Sequence, residues 1–508
     1  MTKNNGHKVR AEHASLAGYL REQLTPAQLQ RVLLVSFNQW DFGIAALAEV
    51  GATLHTMGME PQFAFWASKT PTKDVGWTTS PLIASALASP GRDQKLKKAL
   101  VAFGLPKFAF HQPPIKRWKP ITALAQPSVP IRSQIRALTY RDAPVGRAIL
   151  QVNPDTDTPV TDDYLWPSAW IEASSRSYAY AYDQILALVE HQDISAMIVF
   201  NGRFLHDSAA VTAAETAGIP VLSYDKGGND TDFDLTIDAT HDWSALQHRM
   251  LKMYEEWPQV ERDQVGSSWF EERSTHADPR NERFVESQTV GQGIERKDQK
   301  ILVGYFSSSG DEISELDLDW ANYFYGQPEA LQSLARACRE LGYSLLVRTH
   351  PHKRMKPKRD VEDWLEAVAE ARPDIHIDQF SPIDSYTLMK QVDVVVTYGS
   401  TTGVEAAYAQ RPVIVLGPSA YDELGCATRV TNESELKSAL EKRIVGHRAG
   451  AISYGLMMKR RGFSFEFVEL NDEGIAQLSG IDFDEPRALV RQLSHVLARI
   501  QRRVLTRN

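Results

Sequence analysis

The chain has 508 residues and a formal net charge of −8, with 43% hydrophobic and 24% charged residues, which is typical of a globular protein. The length indicates roughly two to four domains, and the acidic balance argues against a general nucleic-acid-binding protein. Only two cysteines occur, so neither a disulfide framework nor a cysteine-based zinc site is predicted.

The N-terminal residues MTKNNGHKVRAEH lack the apolar core of a signal peptide. No run of about 18 apolar residues occurs anywhere in the sequence, so no membrane span is predicted. We therefore expect a cytoplasmic protein. Peripheral association with the inner face of a membrane stays open.

The first half of the chain predicts a series of alternating strands and helices. Residues 31–66 have the pattern strand, polar turn, helix, strand, and the proline-rich stretch 69–165 predicts an insertion. After a helix at 168–191, residues 196–226 repeat the same pattern. These elements predict an N-terminal domain at 1–256.

The second half predicts another such series. Residues 257–299 are charged and poor in aliphatic side chains, which favours a linker with some helix. A second domain is predicted at 300–445 and a helical tail at 446–508. The alternation in both halves predicts an α/β protein with two Rossmann-like parallel-sheet domains and C-terminal helices. Ligands of such sheets bind beyond the carboxyl ends of the strands.

Polar residues follow four predicted strands of the second half, as SSSGDE, RTHPH, QFSPIDSY and YGSTTG. Hydroxyls and backbone N–H groups at a helix start suit a phosphate, glycine allows close approach, and Arg and His add charge-assisted contacts. Pro351 favours an extended conformation at the preceding residue. The candidate phosphate-contacting residues are Ser307, Ser308, Ser309, Arg348, His350, Ser400, Thr401 and Thr402.

A structural explanation competes with ligand binding in the YGSTTG turn. Thr402 and Glu405 have the spacing of a capping box, which needs no ligand. In that case Ser400 and Thr401 are the better candidates for phosphate contact. Glu405 has a second candidate role, which is to accept hydrogen bonds from a ribose.

Two further stretches of the second half have alternatives. The three serines at 307–309 suit either ligand contact or a simple turn with Gly310. The basic run KRMKPKR at 353–359 is typical of a solvated loop, and the alternative is attraction of a polyanionic acceptor or a membrane surface.

The first half offers a carboxylate and two polar side chains after its strands. Asp41 follows the first strand and is a candidate general base for a sugar acceptor, or else the N-cap of the next helix. Asn201 and Arg203 are candidate contacts to the acceptor or donor, and Arg203 could equally bridge the two domains. No HExxH, P-loop, GxSxG or GxGxxG motif occurs, and the missing GxGxxG argues against NAD chemistry.

Two Rossmann-like domains with phosphate-type residues in the second resemble a GT-B glycosyltransferase. The set FSSSGDE, RTHPH, SPIDSY and YGSTTGVEAAYAQRPVIVLG resembles bacterial capsule and surface-polysaccharide transferases, including groups related to Kdo and sialic acid transferases that use CMP-activated sugars. The resemblance covers about 300–425 well, and FNGR with AGIP at about 198–221 more loosely.

The resemblance implies domains that face each other across a cleft, a nucleotide sugar as co-substrate, and a glycan or lipid-linked glycan as acceptor. It favours a CMP-linked donor, although UDP-, GDP- and CDP-linked relatives share this plan, and it implies no cofactor and no metal. A base from the N-terminal domain is implied, which points to Asp41. The residues to which the resemblance assigns the nucleotide phosphate are His350, Pro351, Ser400, Thr401 and Thr402.

Three other functions remain compatible with the sequence. A polyol-phosphate transferase that uses a CDP-alcohol and a nucleotide-sugar 2-epimerase would share the fold. The paired acidic residues expected around an epimerase sugar pocket are not evident. The third alternative is a non-catalytic scaffold for polysaccharide assembly, which the intact hydroxyl and His-Pro clusters disfavour.

Overall fold

A computed structural model describes residues 15–37, 41–65, 90–105, 109–111, 130–151, 165–229, 231–238, 242–296, 299–309, 324, 326–356, 358–470 and 476–482. These residues form two compact units. Unit 1 contains the described residues up to 238 together with 461–482, and unit 2 contains 242–460. Each unit has a largely parallel sheet with helices packed against it, so the predicted α/β class with two parallel sheets is confirmed.

The described strands and helices follow in chain order. The strands are β1 (Val32–Ser36), β2 (Gln62–Phe65), β3 (Ala109–His111), β4 (Ala196–Phe200), β5 (Val221–Lys226), β6 (Asp232–Thr236), β7 (Leu302–Phe306), β8 (Ser344–Arg348), β9 (Ile375–Ile377), β10 (Val394–Thr397), β11 (Val413–Val415), β12 (Thr428–Arg429), β13 (Phe463–Ser464), β14 (Val468–Leu470), β15 (Ala476–Leu478) and β16 (Ile481–Asp482). The helices are α1 (Leu16–Gln23), α2 (Asp41–Thr56), α3 (Pro90–Ala102), α4 (Arg132–Arg136), α5 (Val145–Leu150), α6 (Ser168–His191), α7 (Leu205–Thr216), α8 (Trp243–Glu256), α9 (Gln259–Ser274), α10 (Glu282–Val285), α11 (Gln327–Leu341), α12 (Lys358–Ala371), α13 (Ser385–Gln391), α14 (Thr402–Tyr408), α15 (Glu433–Lys442) and α16 (Arg448–Arg460), with a 3₁₀ helix at Pro351–Met355.

The sheet of unit 1 has the strand order β13-β6-β5-β4-β1-β2-β3. Strands β1 to β5 are parallel, and β6 pairs antiparallel with both β5 and β13. Central strand β1 is apolar on both faces, as expected for a strand covered by helices on each side. Leu34 packs with α1, α2 and α3 on one face, and Leu33 packs with α5, α6 and α7 on the other.

The sheet of unit 2 has the strand order β12-β11-β10-β7-β8-β9, and its described pairs are all parallel. Alternate residues of β7 pack into two different hydrophobic cores, one on each face of the sheet. Phe306 packs in the cluster formed with α8, α9, α13, α14 and α16, whereas Tyr305 packs in the cluster formed with α11, α12 and α15.

The compact units do not divide where the sequence placed its domain boundaries. The predicted linker at 257–299 contains α9, which packs on α16 within unit 2 and contributes Trp269 and Phe270 to its core. The stretch contains many charged residues and few apolar ones, so its sequence gave little sign that the apolar ones are buried. Residues 242–256, predicted to end the first domain, form α8 in unit 2.

The predicted helical tail at 446–508 is only partly helical in the described residues. Helix α16 completes unit 2, and β13 to β16 then return to unit 1, where β13 joins the sheet. Residues 483–508, which carry the last predicted helix, lie outside the described residues. From the predicted insertion at 69–165, β3 adds an edge strand beside β2.

Within the described part of the chain, no helix combines the length and apolar character needed to cross a bilayer.

Candidate functional site

The carboxyl ends of three neighbouring strands bring the predicted phosphate-binding loops together in unit 2. In the register of the sheet, Thr397 of β10 pairs with Phe306 of β7, and Phe306 pairs with Arg348 of β8. The loops that begin at Ser307, Thr349 and Tyr398 therefore leave the same edge of the sheet side by side. This is the edge at which parallel sheets bind their ligands.

Ser307 connects two of these loops. Its hydroxyl oxygen accepts the backbone N–H of His350 at 2.8 Å, and its own N–H donates to the carbonyl of Arg348 at 3.1 Å. The side chain is buried. Ser307 therefore has a structural role in fixing where His350 lies, and a ligand contact by it remains a prediction.

Ser308 and Ser309 follow in less constrained positions. The backbone N–H of Ser308 donates to Gln327 Oε1 at 2.9 Å, at the start of α11. Its hydroxyl is buried and has no partner among the described residues. Ser309 is half-buried. A buried hydroxyl without a partner costs free energy, so Ser308 is the better of the two as a ligand contact.

The ring of His350 is held as a neutral hydrogen-bond donor. Its Nδ1 accepts the backbone N–H of His352 at 3.1 Å, which assigns the proton of the neutral ring to Nε2. Burial, with the adjacent charges of His352, Arg348 and Lys353, lowers the pKa of His350 to about 3. No described residue hydrogen-bonds Nε2. The side chain can therefore donate one hydrogen bond to a ligand near neutral pH without carrying charge.

Pro351 is buried and begins the 3₁₀ helix at Pro351–Met355, for which His350 is the extended N-cap residue. The fixed φ of proline suits the first position of a helix. His350 therefore has the extended conformation that was predicted from the proline that follows it.

Arg348 is engaged by the protein itself. It is 2% exposed, and its guanidinium donates to the backbone carbonyls of Asp378 and Ile383 and, at 3.5 Å, to Ser385 Oγ. Burial lowers its pKa to about 10. These bonds hold the loop after β9 against β8, and the predicted phosphate contact of Arg348 gains no support from them.

The YGSTTG turn is capped differently from the prediction. Gly399 has a positive φ of 79°, and Ser400 Oγ accepts the N–H of Thr402 at 3.3 Å as α14 begins. Thr401 is exposed and makes no side-chain capping bond. The predicted capping box of Thr402 with Glu405 is wrong, because the Glu405 carboxylate is bound elsewhere.

A buried tyrosine, which sequence reasoning missed, fixes this turn from beneath. Tyr421 Oη donates to the carbonyl of Ser400 at 2.6 Å and lies 3.0 Å from Thr397 Oγ1. A Cβ atom at position 403 would lie 2.1 Å from the same Tyr421 oxygen. Gly403 is therefore required for the hydroxyls of the turn to occupy their observed place.

Glu405 belongs to a buried network with residues of α9 and α13. Its Oε1 accepts from Arg273 Nε at 2.7 Å and from Tyr386 Oη at 3.1 Å. Burial opposes the charge on Arg273, but Glu405 and Asp278 hold the pKa of that guanidinium above its usual value. Both partners lie on helices and not on the strand-end loops, so these bonds do not test whether Glu405 contacts a ribose. That contact stays a prediction.

The loop after β9 is anchored by Asp384, which the sequence analysis did not single out. Its carboxylate accepts from the N–H groups of Tyr386 and Thr387, so it caps α13, and it also accepts from Gly291 N–H at 3.2 Å. His276 Nε2 lies 3.2 Å from its other oxygen. Residues of the predicted linker thus brace this edge of the sheet.

The predicted residues of unit 1 lie at the carboxyl edge of its sheet. Asp41 is the first residue of α2, and its side chain lies outside the described atoms. Asn201 adopts a positive φ of 52° after β4, and its Nδ2 donates to Asp225 Oδ2 at 2.6 Å. The guanidinium of Arg203 lies over the ring of Phe204 at 4.8 Å. Asn201 therefore ties β4 to β5.

A histidine at the same edge of unit 1 was missed by sequence reasoning. His206 Nε2 lies 2.6 Å from Ser177 Oγ, and its ring stacks on Phe37 at a centroid distance of 5.5 Å. Burial lowers the pKa of His206 to about 3. Only the fold brings Ser177 of α6 to the start of α7, so no sequence motif marks this pair.

Comparison with known families finds one match. Residues 321–446 match the family model described as capsule polysaccharide biosynthesis protein. This stretch includes the loops after β8, β9 and β10. The predicted resemblance to capsule polysaccharide proteins is confirmed for this part of the chain. No curated protein sequence matches the chain.

Several solved structures resemble the chain at low sequence identity. The Thermosulfurimonas dismutans KpsC beta Kdo 2,4 transferase is 13% identical with a TM-score of 0.32, covering 52% of this chain and 79% of that one. The beta Kdo 2,7 transferase of the same protein is 12% identical with a TM-score of 0.33, covering 62% and 89%. The Methanocaldococcus jannaschii UDP-GlcNAc 2-epimerase is 10% identical with a TM-score of 0.29, covering 84% and 98%. Likeness at TM-scores this low carries no argument, so the fold is described from the two sheets of the chain itself.

Proposed function

We propose that this chain is a glycosyltransferase that moves a sugar from a nucleotide-activated donor, with a CMP-linked donor favoured, to a surface-polysaccharide glycan. One observation carries the proposal. The serine loop after β7, the His-Pro pair after β8 and the YGSTTG turn after β10 leave adjacent positions of one sheet edge. The family match to capsule polysaccharide biosynthesis proteins includes two of these three loops.

The donor phosphate is proposed to bind through neutral hydrogen-bond donors. His350 Nε2–H, the Thr401 hydroxyl and the unpartnered Ser308 hydroxyl are the groups available on the three loops. Donors fixed in place before the reaction stabilise the negative charge that grows on a leaving phosphate. The Ser400 hydroxyl donates to Thr402 Oγ1 at 3.3 Å and so stabilises the turn. We propose that these protein groups stabilise the departing nucleotide without a metal.

The acceptor side of the proposal rests on unit 1. Asp41 would take the proton of the attacking hydroxyl as a general base. Asn201 and Arg203 would contact the acceptor, since Asn201 is fixed by its bond to Asp225 beside the end of β4. The acceptor is proposed to be a glycan, including one linked to lipid, which would place the work of the enzyme at the inner face of a membrane.

A thermal-shift screen of CMP, CDP, UDP and GDP tests the proposal. At a concentration about 100 times Kd, a nucleotide adds about 2.7 kcal/mol to the free energy of unfolding of the unit that binds it. We expect CMP to raise the melting temperature most. If none of the four nucleotides stabilises the protein, the transferase proposal fails.

Thr401→Ala tests the donor site in the same thermal-shift screen, and Asp41→Ala tests the base in a turnover assay. Thr401→Ala removes an exposed hydroxyl that caps nothing, so the melting temperature should stay unchanged while CMP affinity falls about tenfold. Ser434→Ala, which removes an exposed hydroxyl from α15 of the same unit, is the control. Asp41→Ala should keep donor binding and lose turnover, and normal turnover would remove Asp41 as the base.

A further inference from the structure

Unit 2 contains a cavity of about 390 Å³ among the helices on one face of its sheet. Helix α13 contributes Tyr386 and Lys390, which are one turn apart, and α14 contributes Glu405 and Tyr408 at a similar spacing. Helix α9 contributes Phe270. The volume lies within the range of about 300–1,000 Å³ typical of small-molecule sites. None of the loops proposed to bind the donor lines this cavity.

The wall of the cavity carries a carboxylate with one oxygen still available. Glu405 has a side chain that is only 6% exposed, and Arg273 and Tyr386 both bind its Oε1. No described residue hydrogen-bonds Oε2. A carboxylate oxygen without a protein partner is an acceptor to which a ligand hydroxyl can donate.

Two cations stand at the mouth of the same cavity. Lys390 and Arg448 both line it and are both exposed, and neither forms an ion pair with any described residue. The guanidinium of Arg448 is placed by the ring of Tyr408, 4.4 Å away, which itself stacks on Phe270 at 4.2 Å. The rim therefore offers charge-assisted donors to an anionic group, and one of them is fixed in position.

We propose that this cavity binds an acidic sugar, whose hydroxyl donates to Glu405 Oε2 and whose anionic group is bound by Lys390 and Arg448. A hydroxyl donor and an anionic group on one small molecule match the acceptor within and the cations at the rim. The site contains none of the groups proposed above to bind the donor phosphate and does not depend on them.

Calorimetric titration of the full chain with D-glucuronic acid tests this site, with D-glucose as the neutral control. We expect glucuronate to bind and glucose to bind at least about tenfold more weakly, because a charge-assisted contact is lost. Lys390→Gln with Arg448→Gln should reduce glucuronate affinity about tenfold or more. Lys358→Gln, which removes an exposed cation from α12, should leave it unchanged.

Three results would overturn the proposal. Glucuronate could fail to bind, or the Lys390→Gln and Arg448→Gln double variant could bind it as well as the wild type. Saturating CMP could also displace glucuronate, in which case the cavity would serve the nucleotide through Glu405. Undisturbed glucuronate binding in the presence of CMP supports a separate site. A chain that binds glucuronate but no nucleotide would sink the transferase proposal and leave this one standing.

Discussion

His350 uses two of its polar groups, the backbone N–H and Nδ1, in hydrogen bonds within the protein. Its third group, Nε2–H, has no described partner. Its backbone N–H goes to Ser307 Oγ and its Nδ1 receives the N–H of His352. Nε2–H is what remains for a ligand. Since the pKa of this imidazole is lowered to about 3, the proposed contact to a phosphate is a neutral hydrogen bond.

Substitution of His350 should therefore affect binding by loss of a donor and not by loss of charge. His350→Ala should weaken CMP binding by roughly 10- to 150-fold, since a hydrogen bond to a charged group contributes about 1.5–3 kcal/mol. His350→Gln, whose amide can still donate, should weaken it less. The Cε1–H NMR signal of His350 should not titrate between pH 5 and pH 8.

Titration of the His350 signal in that interval would contradict the neutral-donor assignment. Equal losses in His350→Ala and His350→Gln would show that the donated hydrogen bond is not what matters. Circular dichroism melts of both variants are the control for folding, because Nδ1 also supports the start of the 3₁₀ helix.

The serines at the strand ends show what could be predicted at the residue scale. Their positions follow from the strand pattern, and the structure places all of them at one edge of the sheet. Their hydrogen bonds could not be predicted. Ser307 bonds the backbone of the next strand's loop, Ser308 has no described partner, and Ser400 bonds its own turn. These differences depend on neighbours more than 40 residues away or on local backbone angles.

Helix α9, which packs on α16, is the element for which local sequence was most misleading. A Cβ atom on Gly266 would lie 2.5 Å from the carbonyl oxygen of Ile452, and one on Gly455 would lie 2.2 Å from the carbonyl oxygen of Gly266. The two helices pack with almost no space between their backbones. Glycine weakens an isolated helix, yet in α9 it permits this close contact.

Alanine at either glycine should destabilise unit 2, although alanine is the better helix former by about 1 kcal/mol. Gly266→Ala and Gly455→Ala should each lower the free energy of unfolding by about 1–3 kcal/mol, because the methyl group would force the helices apart. Chemical denaturation measures this change. Gln264→Ala, at an exposed position of α9, is the control and should be neutral.

If Gly266→Ala or Gly455→Ala left the protein equally stable or more stable, helix propensity would outweigh the packing of α9 on α16. The contact would then not be what attaches the predicted linker to unit 2.

Elements with continuous apolar runs were the most predictable. Strands β1, β4, β7 and β10 were predicted because a strand covered on both faces is apolar throughout. The strands after α16 were not predicted. β13 is two residues long and is defined by its antiparallel pairing with β6, a contact between distant parts of the sequence. Short edge strands of this kind carry no periodic signal of their own.

At the scale of the whole molecule, each unit holds an imidazole whose pKa is strongly lowered by burial. Burial lowers the pKa of His206 in unit 1 and of His350 in unit 2 to about 3, against an ordinary value of 6.5. Burial also raises the pKa of Glu49 and Asp207 in unit 1. The two kinds of group act on stability with opposite signs as the pH changes.

The sign follows from which state binds more protons. Between about pH 6.5 and pH 3 the unfolded chain protonates both histidines and the folded chain does not, so they remove stability as the pH falls through this window. Glu49 and Asp207 are protonated more readily in the folded state, so above their ordinary pKa values they add stability as the pH falls. The curve for the whole chain is the sum of these effects, and single variants are needed to separate them.

Between pH 7 and pH 5, the wild type should lose free energy of unfolding relative to His206→Gln and to His350→Gln, by at most about 2 kcal/mol for each histidine. Glutamine cannot take up a proton in either state, so each variant lacks the contribution of one imidazole. Urea denaturation at pH 7, 6 and 5 measures the difference, and the double variant should show the sum because the two sites lie in different units. Curves that stay parallel to the wild type over this interval would mean that both histidines are protonated as readily in the folded chain as in the unfolded one. The neutral hydrogen bond proposed for His350 would then have to be replaced by a charged one.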